Sequence, residues 1–185
     1  LVLLPLHVVF LELIIDPTCS IAFEAEPEET NVMRRPPRSP AERMFTQPRV
    51  LLSLLQGLTV TASVLLVYFF ALRWGHDETD SRALAFSTLI VGNLALIFTN
   101  RSWTKTIWEM LRTPNRALWW VTVSALLVLI AILYVPFLRD LFRFSLLHPN
   151  DVLVACSAGL AGVIWFEALK FSVNHLRNRP AGGLP

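Results

Sequence analysis

Five apolar stretches, nearly free of charge, decide what this chain can become. A bilayer core about 30 Å thick is crossed by about 20 helical residues. Residues 50–72, 83–100 and 117–138 carry no charged side chain. Residues 152–171 carry only Glu167 and Lys170, near their end, and residues 1–23 carry only Glu12 and Asp16. Alternating strand patterns are absent, so the spans read as helices rather than barrel strands. Composition agrees, with 54% hydrophobic residues and 16% charged, against roughly a quarter charged in soluble domains. The expected fold is all-α, a polytopic transmembrane helical bundle of about five spans.

The pieces between the spans give the organisation. Residues 1–23 form the first span. A polar loop, 24–49, follows and holds Pro27, Pro36, Pro37, Pro40 and Pro48. Residues 50–172 contain four further spans, and 173–185 form a tail. Lys and Arg set the orientation. Arg34, Arg35, Arg38, Arg43 and Arg49 lie in the first loop, and Arg101, Lys105, Arg112 and Arg116 in the third. Lys170, Arg177 and Arg179 lie at the tail, whereas the opposite side has only Arg73, Arg82, Arg139 and Arg143. The first loop, the third loop and the C-terminus are therefore expected in the cytoplasm of a cell bounded by a plasma (inner) membrane. Trp74, Trp103, Trp108, Trp119 and Trp120 fall near span ends, where interfacial aromatics anchor. Residue 1 is Leu, with no basic n-region of a signal peptide before the apolar run. The chain is thus expected to be cut from a larger protein.

Other function classes find little support. A net charge of +2 supplies no basic field for nucleic acid. Cys19 and Cys156 sit inside apolar stretches with no ligand spacing around them, which suggests neither disulfide nor zinc. The lipid bilayer is the expected surrounding.

Glu12 and Asp16 are the most informative residues. A charge at mid-membrane costs about 2.5–3.5 kcal/mol on insertion scales, so two in one span need a reason. At i, i+4 they share a helix face, about 6 Å apart along the axis at 1.5 Å per residue. Like charges this close repel, so either one is protonated or a cation sits between them. Carboxylates are hard ligands suited to calcium or magnesium. Pro17 has no N–H, which frees the carbonyl of Leu13, and broken helices at membrane depth are where transporters build ion sites. The alternative is that the two acids pair with cations or hydroxyls elsewhere in the bundle and only fix helix packing. His7, in the same span, reads as a hydrogen-bonding side chain ahead of a ligand. Glu24, Glu26, Glu28 and Glu29 read either as a cation-attracting mouth or as a solvated loop face.

The run Leu-Glu-Leu-Ile-Ile-Asp-Pro at 11–17, with Met33, Arg34, Arg35, Pro36, Pro37 and Arg38 after it, resembles the sixth transmembrane helix and following loop of P-type cation-transporting ATPases of the calcium-pump type. The resemblance covers nearly all of the chain and implies helices six to ten of such a pump. It places Asp16 on the family's ion-binding acid. Glu12 falls where calcium pumps usually carry Asn, and Ile15 replaces a ligating Thr. Asn93 falls where some calcium pumps have a ligating Glu on the eighth helix; a lone Asn in a span is otherwise interhelical glue. The implied metal ligands are Asp16, Glu12 and Asn93. The implied cargo is calcium, with magnesium or another cation open. Arg34, Arg35, Pro36, Pro37 and Arg38 would form a cytosolic coupling loop that docks to a phosphorylation domain.

The Asp-Lys-Thr-Gly-Thr phosphorylation motif is absent from the sequence, as is any large soluble segment. The resemblance therefore implies that ATP and Mg are used by upstream domains, that helices one to five and the cytosolic domains are the partners, and that this chain alone is inactive. The competing reading is a stand-alone five-span membrane protein that acts as a transporter partner or regulator without enzymatic activity.

Overall fold

A computed structural model describes residues 2–26, 33, 47–101 and 115–177. Six helices lie among them: α1 (Pro5–Glu24), α2 (Gln47–Arg73), α3 (Glu78–Asn100), α4 (Arg116–Tyr134), α5 (Pro136–Phe142) and α6 (Pro149–Arg177). Among the described residues, all but α5 are long and apolar enough to cross a membrane. The protein is an all-helical, multi-pass membrane protein.

Helix boundaries follow local chemistry. Pro5 opens α1, where its missing N–H costs nothing. Pro136 ends α4 by holding Val135 extended at φ −80°, ψ 118°, and opens α5 as its first residue; the residue before a proline is pushed out of the helical region. The α2–α3 turn closes on Gly75 at φ 87°. There His76 N–H donates to the Ala71 carbonyl and Gly75 N–H to the Leu72 carbonyl, at 3.1 and 3.3 Å, a Schellman closure. Helix α5 ends the same way on Arg143, at φ 54°. Phe144 N–H donates to the Arg139 carbonyl and Arg143 N–H to the Asp140 carbonyl. An L side chain in the left-handed region costs about 1–2 kcal/mol. Arg143→Gly is therefore expected to raise stability by about 1 kcal/mol, read as a higher thermal midpoint in detergent.

The centre of the bundle is α3. One apolar cluster joins it to α1, α4 and α5 through Leu11, Phe86, Ile90, Leu129, Ile132 and Phe142. A second joins it to α2 and α6 through Val60, Val64, Tyr68, Ala85, Ala95 and Val163. Van der Waals packing of small residues drives helix association in lipid, and the α3–α6 crossing shows this. A Cβ on Gly159 would lie 2.8 Å from the Thr88 carbonyl oxygen and 3.0 Å from the Gly92 nitrogen. Both are backbone atoms, so the helices themselves would have to part. A Cβ on Gly162 would meet the Ser63 hydroxyl at 2.9 Å, a side-chain atom that can move aside by giving up its 3.1 Å bond to the Thr59 carbonyl. Gly159→Ala is therefore expected to cost about 1–3 kcal/mol and Gly162→Ala less. Equal thermal midpoints for the two would contradict this reading of the crossing.

The two ends of the bundle differ. At one end α1 begins, α2 turns into α3, and α5 leads to α6. Ser145 hydrogen-bonds Asp80 there, and His7 reaches the Phe142 carbonyl. At the other end lie the last turn of α1, the C-terminus of α3 and the start of α4. Gln56 and Asn100 exchange amide hydrogen bonds of 3.1 and 3.3 Å between α2 and α3 near that end.

Candidate cation site

Helix α1 has two faces. His7, Leu11, Thr18 and Ala22 are buried against the bundle, a spacing of four and seven residues that forms one stripe. On the flank toward α4, Leu13, Ile14, Pro17, Thr18 and Ile21 line a groove with Trp120 and Ser124. At 100° per residue, Glu12 and the position of Asp16 fall together on the opposite flank. Glu12 is exposed there and lacks a hydrogen-bond or ion-pair partner among the described residues. The side chain of Asp16 lies outside the described residues, although its backbone continues α1. Both acids sit near the middle of the helix, and Pro17 lies within it. Proline cannot donate to the Leu13 carbonyl, whereas the next carbonyl, of Ile14, is bonded by the Thr18 hydroxyl.

Asn93 lies on α3, where with Leu11, Ile15 and Thr18 it lines a small crevice between α1 and α3. It is half-buried and faces α1 at the level of Ile15. Asn93 thus borders the crevice between α1 and α3, whose lining does not include Glu12; Glu12 lies on an exposed flank of α1. Among the described residues no three His, Cys, Asp or Glu side chains gather as a metal cluster. Arg34, Arg35, Pro36, Pro37 and Arg38 lie outside the described residues.

His7 is a hydrogen-bonding residue. Its Nδ1 accepts from the Leu4 N–H at 3.1 Å, so its Nε2 carries the proton and donates to the Phe142 carbonyl at 2.9 Å. The ring is fully buried and stacks on Phe142 at 5.7 Å with an interplanar angle of 7°. With both nitrogens engaged, His7 pins the start of α1 to the end of α5.

The other end of α1 is held by a polar clasp that the sequence did not reveal. Arg101 Nε and Nη2 donate to the two carboxylate oxygens of Glu26, at 2.7 and 3.0 Å. Asn115 Nδ2 lies within reach of the same carboxylate at 3.0 Å and of the Ala22 carbonyl at 3.2 Å. Its Oδ1 caps α4 by accepting from Leu118 N–H at 2.9 Å. The Arg101 side chain is 2% exposed. One carboxylate thus ties α1, α3 and α4 together just beyond the acidic helix. Glu26 had read as part of an acidic patch; its partners lie 75 and 89 residues away, a pairing that local spacing cannot signal.

Known proteins align with nearly the whole chain. It is 25% identical over 182 residues to the calcium-transporting ATPase type 2C member 2 of Mus musculus, covering 97% of this chain and 19% of that protein. It is 22% identical over 167 residues to calcium-transporting ATPase 1 of Yarrowia lipolytica, covering 90% of this chain and 18% of that protein. It is 24% identical over 152 residues to a calcium-transporting ATPase of Bacillus subtilis, covering 80% and 17%. The chain thus spans less than a fifth of the length of these relatives. Residues 1–172 match the family described as cation transporting ATPase, C-terminus, and the chain belongs to that family.

Proposed function

We propose that this chain is the C-terminal membrane portion of an ATP-driven cation pump and lends Glu12 and Asp16 to the transmembrane ion site, with calcium as the cargo. The observation that carries the reading is Glu12, a mid-helix acid on a flank of α1 that the described helices leave uncovered. A carboxylate facing bare lipid is costly; facing further helices of a pump, beside Asp16 and the freed Leu13 carbonyl, it becomes one wall of a cation site. Asn93, on the neighbouring helix, would add a neutral oxygen in this reading. The names of the relatives favour calcium.

In the complete pump, phosphorylation of an upstream aspartate by ATP and Mg would alternate access to this site. Arg34, Arg35, Pro36, Pro37 and Arg38 would dock the loop to the phosphorylation domain, and the Glu26 clasp would pass its movement to α1. The basic loops and the tail face the cytoplasm in this reading, and the bundle sits in the plasma (inner) membrane. The reading frame upstream of the Leu1 codon tests the proposal cheaply. An open frame of several hundred codons encoding Asp-Lys-Thr-Gly-Thr is expected. A stop codon followed by a start codon just before Leu1 would overturn it.

A further inference from the structure

We propose that the groove between α2 and α6 seats one acyl chain of an amine-headgroup phospholipid of the phosphatidylethanolamine class. The groove encloses about 310 Å³. Its lining runs along α2 from Ser63 to Ala71, past the helix end to Trp74, and along α6 from Asp151 to Ala161. At 1.5 Å per residue each wall is about 15 Å long, half of a bilayer core about 30 Å thick. The candidate spans are Val50–Arg73 and Pro149–Ala168, so the groove begins at one membrane surface and stops at mid-span. A partner helix would cross the whole thickness; a single acyl chain fills one leaflet.

The chemistry along the groove has the same polarity as a lipid. Its deeper part is apolar, with Leu66, Phe70 and Val154 as walls and Ala158 and Ala161 leaving the space between them. His76 and Asp151 line the end at the membrane surface, beside Trp74, which is 73% exposed and suits the headgroup level. Asp151 accepts from the His148 N–H at 3.2 Å and keeps a second carboxylate oxygen for a ligand cation. The start of α3 adds Asp77 at its N-cap and Glu78 and Asp80 in its first turn. Of these, Glu78 is bonded to Arg82 at 3.0 Å, and Asp80 lies 3.6 Å from His76. Arg73 ends α2 beside Trp74 and Arg82 is paired with Glu78; the acids that remain in excess favour an ammonium headgroup over an anionic one. The inference holds whatever ion the pump carries.

The test uses membranes of cells expressing the intact pump, loaded with phospholipids that carry a photoreactive group midway along one acyl chain. Phosphatidylethanolamine and phosphatidylglycerol probes are compared, and adducts are mapped by peptide mass spectrometry. Adducts are expected to concentrate on Leu66, Phe70, Val154 and Ala158, with the ethanolamine probe favoured about fivefold. Ala158→Trp, which fills the groove, is expected to lower these adducts about tenfold. Asp151→Asn, which leaves it open, is expected to remove the headgroup preference. Labelling spread evenly over the outward faces of α2 and α6, or unchanged in Ala158→Trp, would overturn the acyl seat. Equal labelling by the two probes would overturn the amine assignment. Covalent dimers through these residues in place of lipid adducts would overturn the proposal in favour of a second copy of the chain.

Discussion

Asp16→Asn in the intact pump is expected to abolish ion-activated phosphoenzyme formation at cation concentrations that saturate the wild type. The substitution keeps size and shape and removes the charge. A neutral amide offers one oxygen where a carboxylate offers two and a full negative charge, and hard divalent cations depend on that charge. A loss of about 100-fold in apparent affinity, about 2.8 kcal/mol at 1.4 kcal/mol per tenfold, is the expected size. Glu12→Gln is expected to act in the same direction. Asp140→Asn is the control: its side chain is 78% exposed and lies on α5 at the bundle end, far along the chain from the acidic helix. Unchanged ion activation in Asp16→Asn would remove Asp16 from the site.

Glu26→Ala carries the second large effect, on stability. The variant withdraws both Glu26 bonds from a guanidinium that is 2% exposed and one from Asn115. Breaking a buried ion pair from one side costs about 3–5 kcal/mol where the charge is left uncompensated, and Arg101 keeps a further interaction. With Glu26 itself 20% exposed, the lower end is expected, about 3 kcal/mol. For a protein of this size that is a fall of about 6–12 °C in the thermal midpoint. Glu26→Gln keeps one acceptor oxygen and is expected to fall between Ala and the wild type. Asn115→Ala loses the α4 cap as well as the clasp, and its effect should add to that of Glu26→Ala by less than the sum of the two, because the residues touch. A thermal midpoint unmoved by Glu26→Ala would show that the clasp bears no weight.

The spans were legible because hydrophobic length is a local property. Each apolar run carries its own signal, and burial in lipid needs no partner to be read. The acidic pair was legible for the same reason: charge in an apolar run is conspicuous wherever it points. Helix α5 was not, since its seven residues are too short for periodicity and its existence rests on Pro136 breaking α4. The tertiary bonds were also hidden. His7 was read as a hydrogen-bonding residue, but its acceptor, the Phe142 carbonyl, lies 135 residues away. Glu26 looked like one of four loop acids until Arg101 and Asn115 were brought beside it. That the neighbour of Gly159 is backbone, and so unable to yield, came only from the crossing of α3 and α6.

Equilibrium binding of radiolabelled calcium to the intact pump, without ATP, tests the central claim most directly, because it reads ligation apart from turnover. The wild type is expected to bind calcium saturably, and the Glu12→Gln, Asp16→Asn double variant to bind none in the same range. Saturable binding that survives in the folded double variant, or its absence from the wild type, would contradict the assignment of these carboxylates to a calcium site.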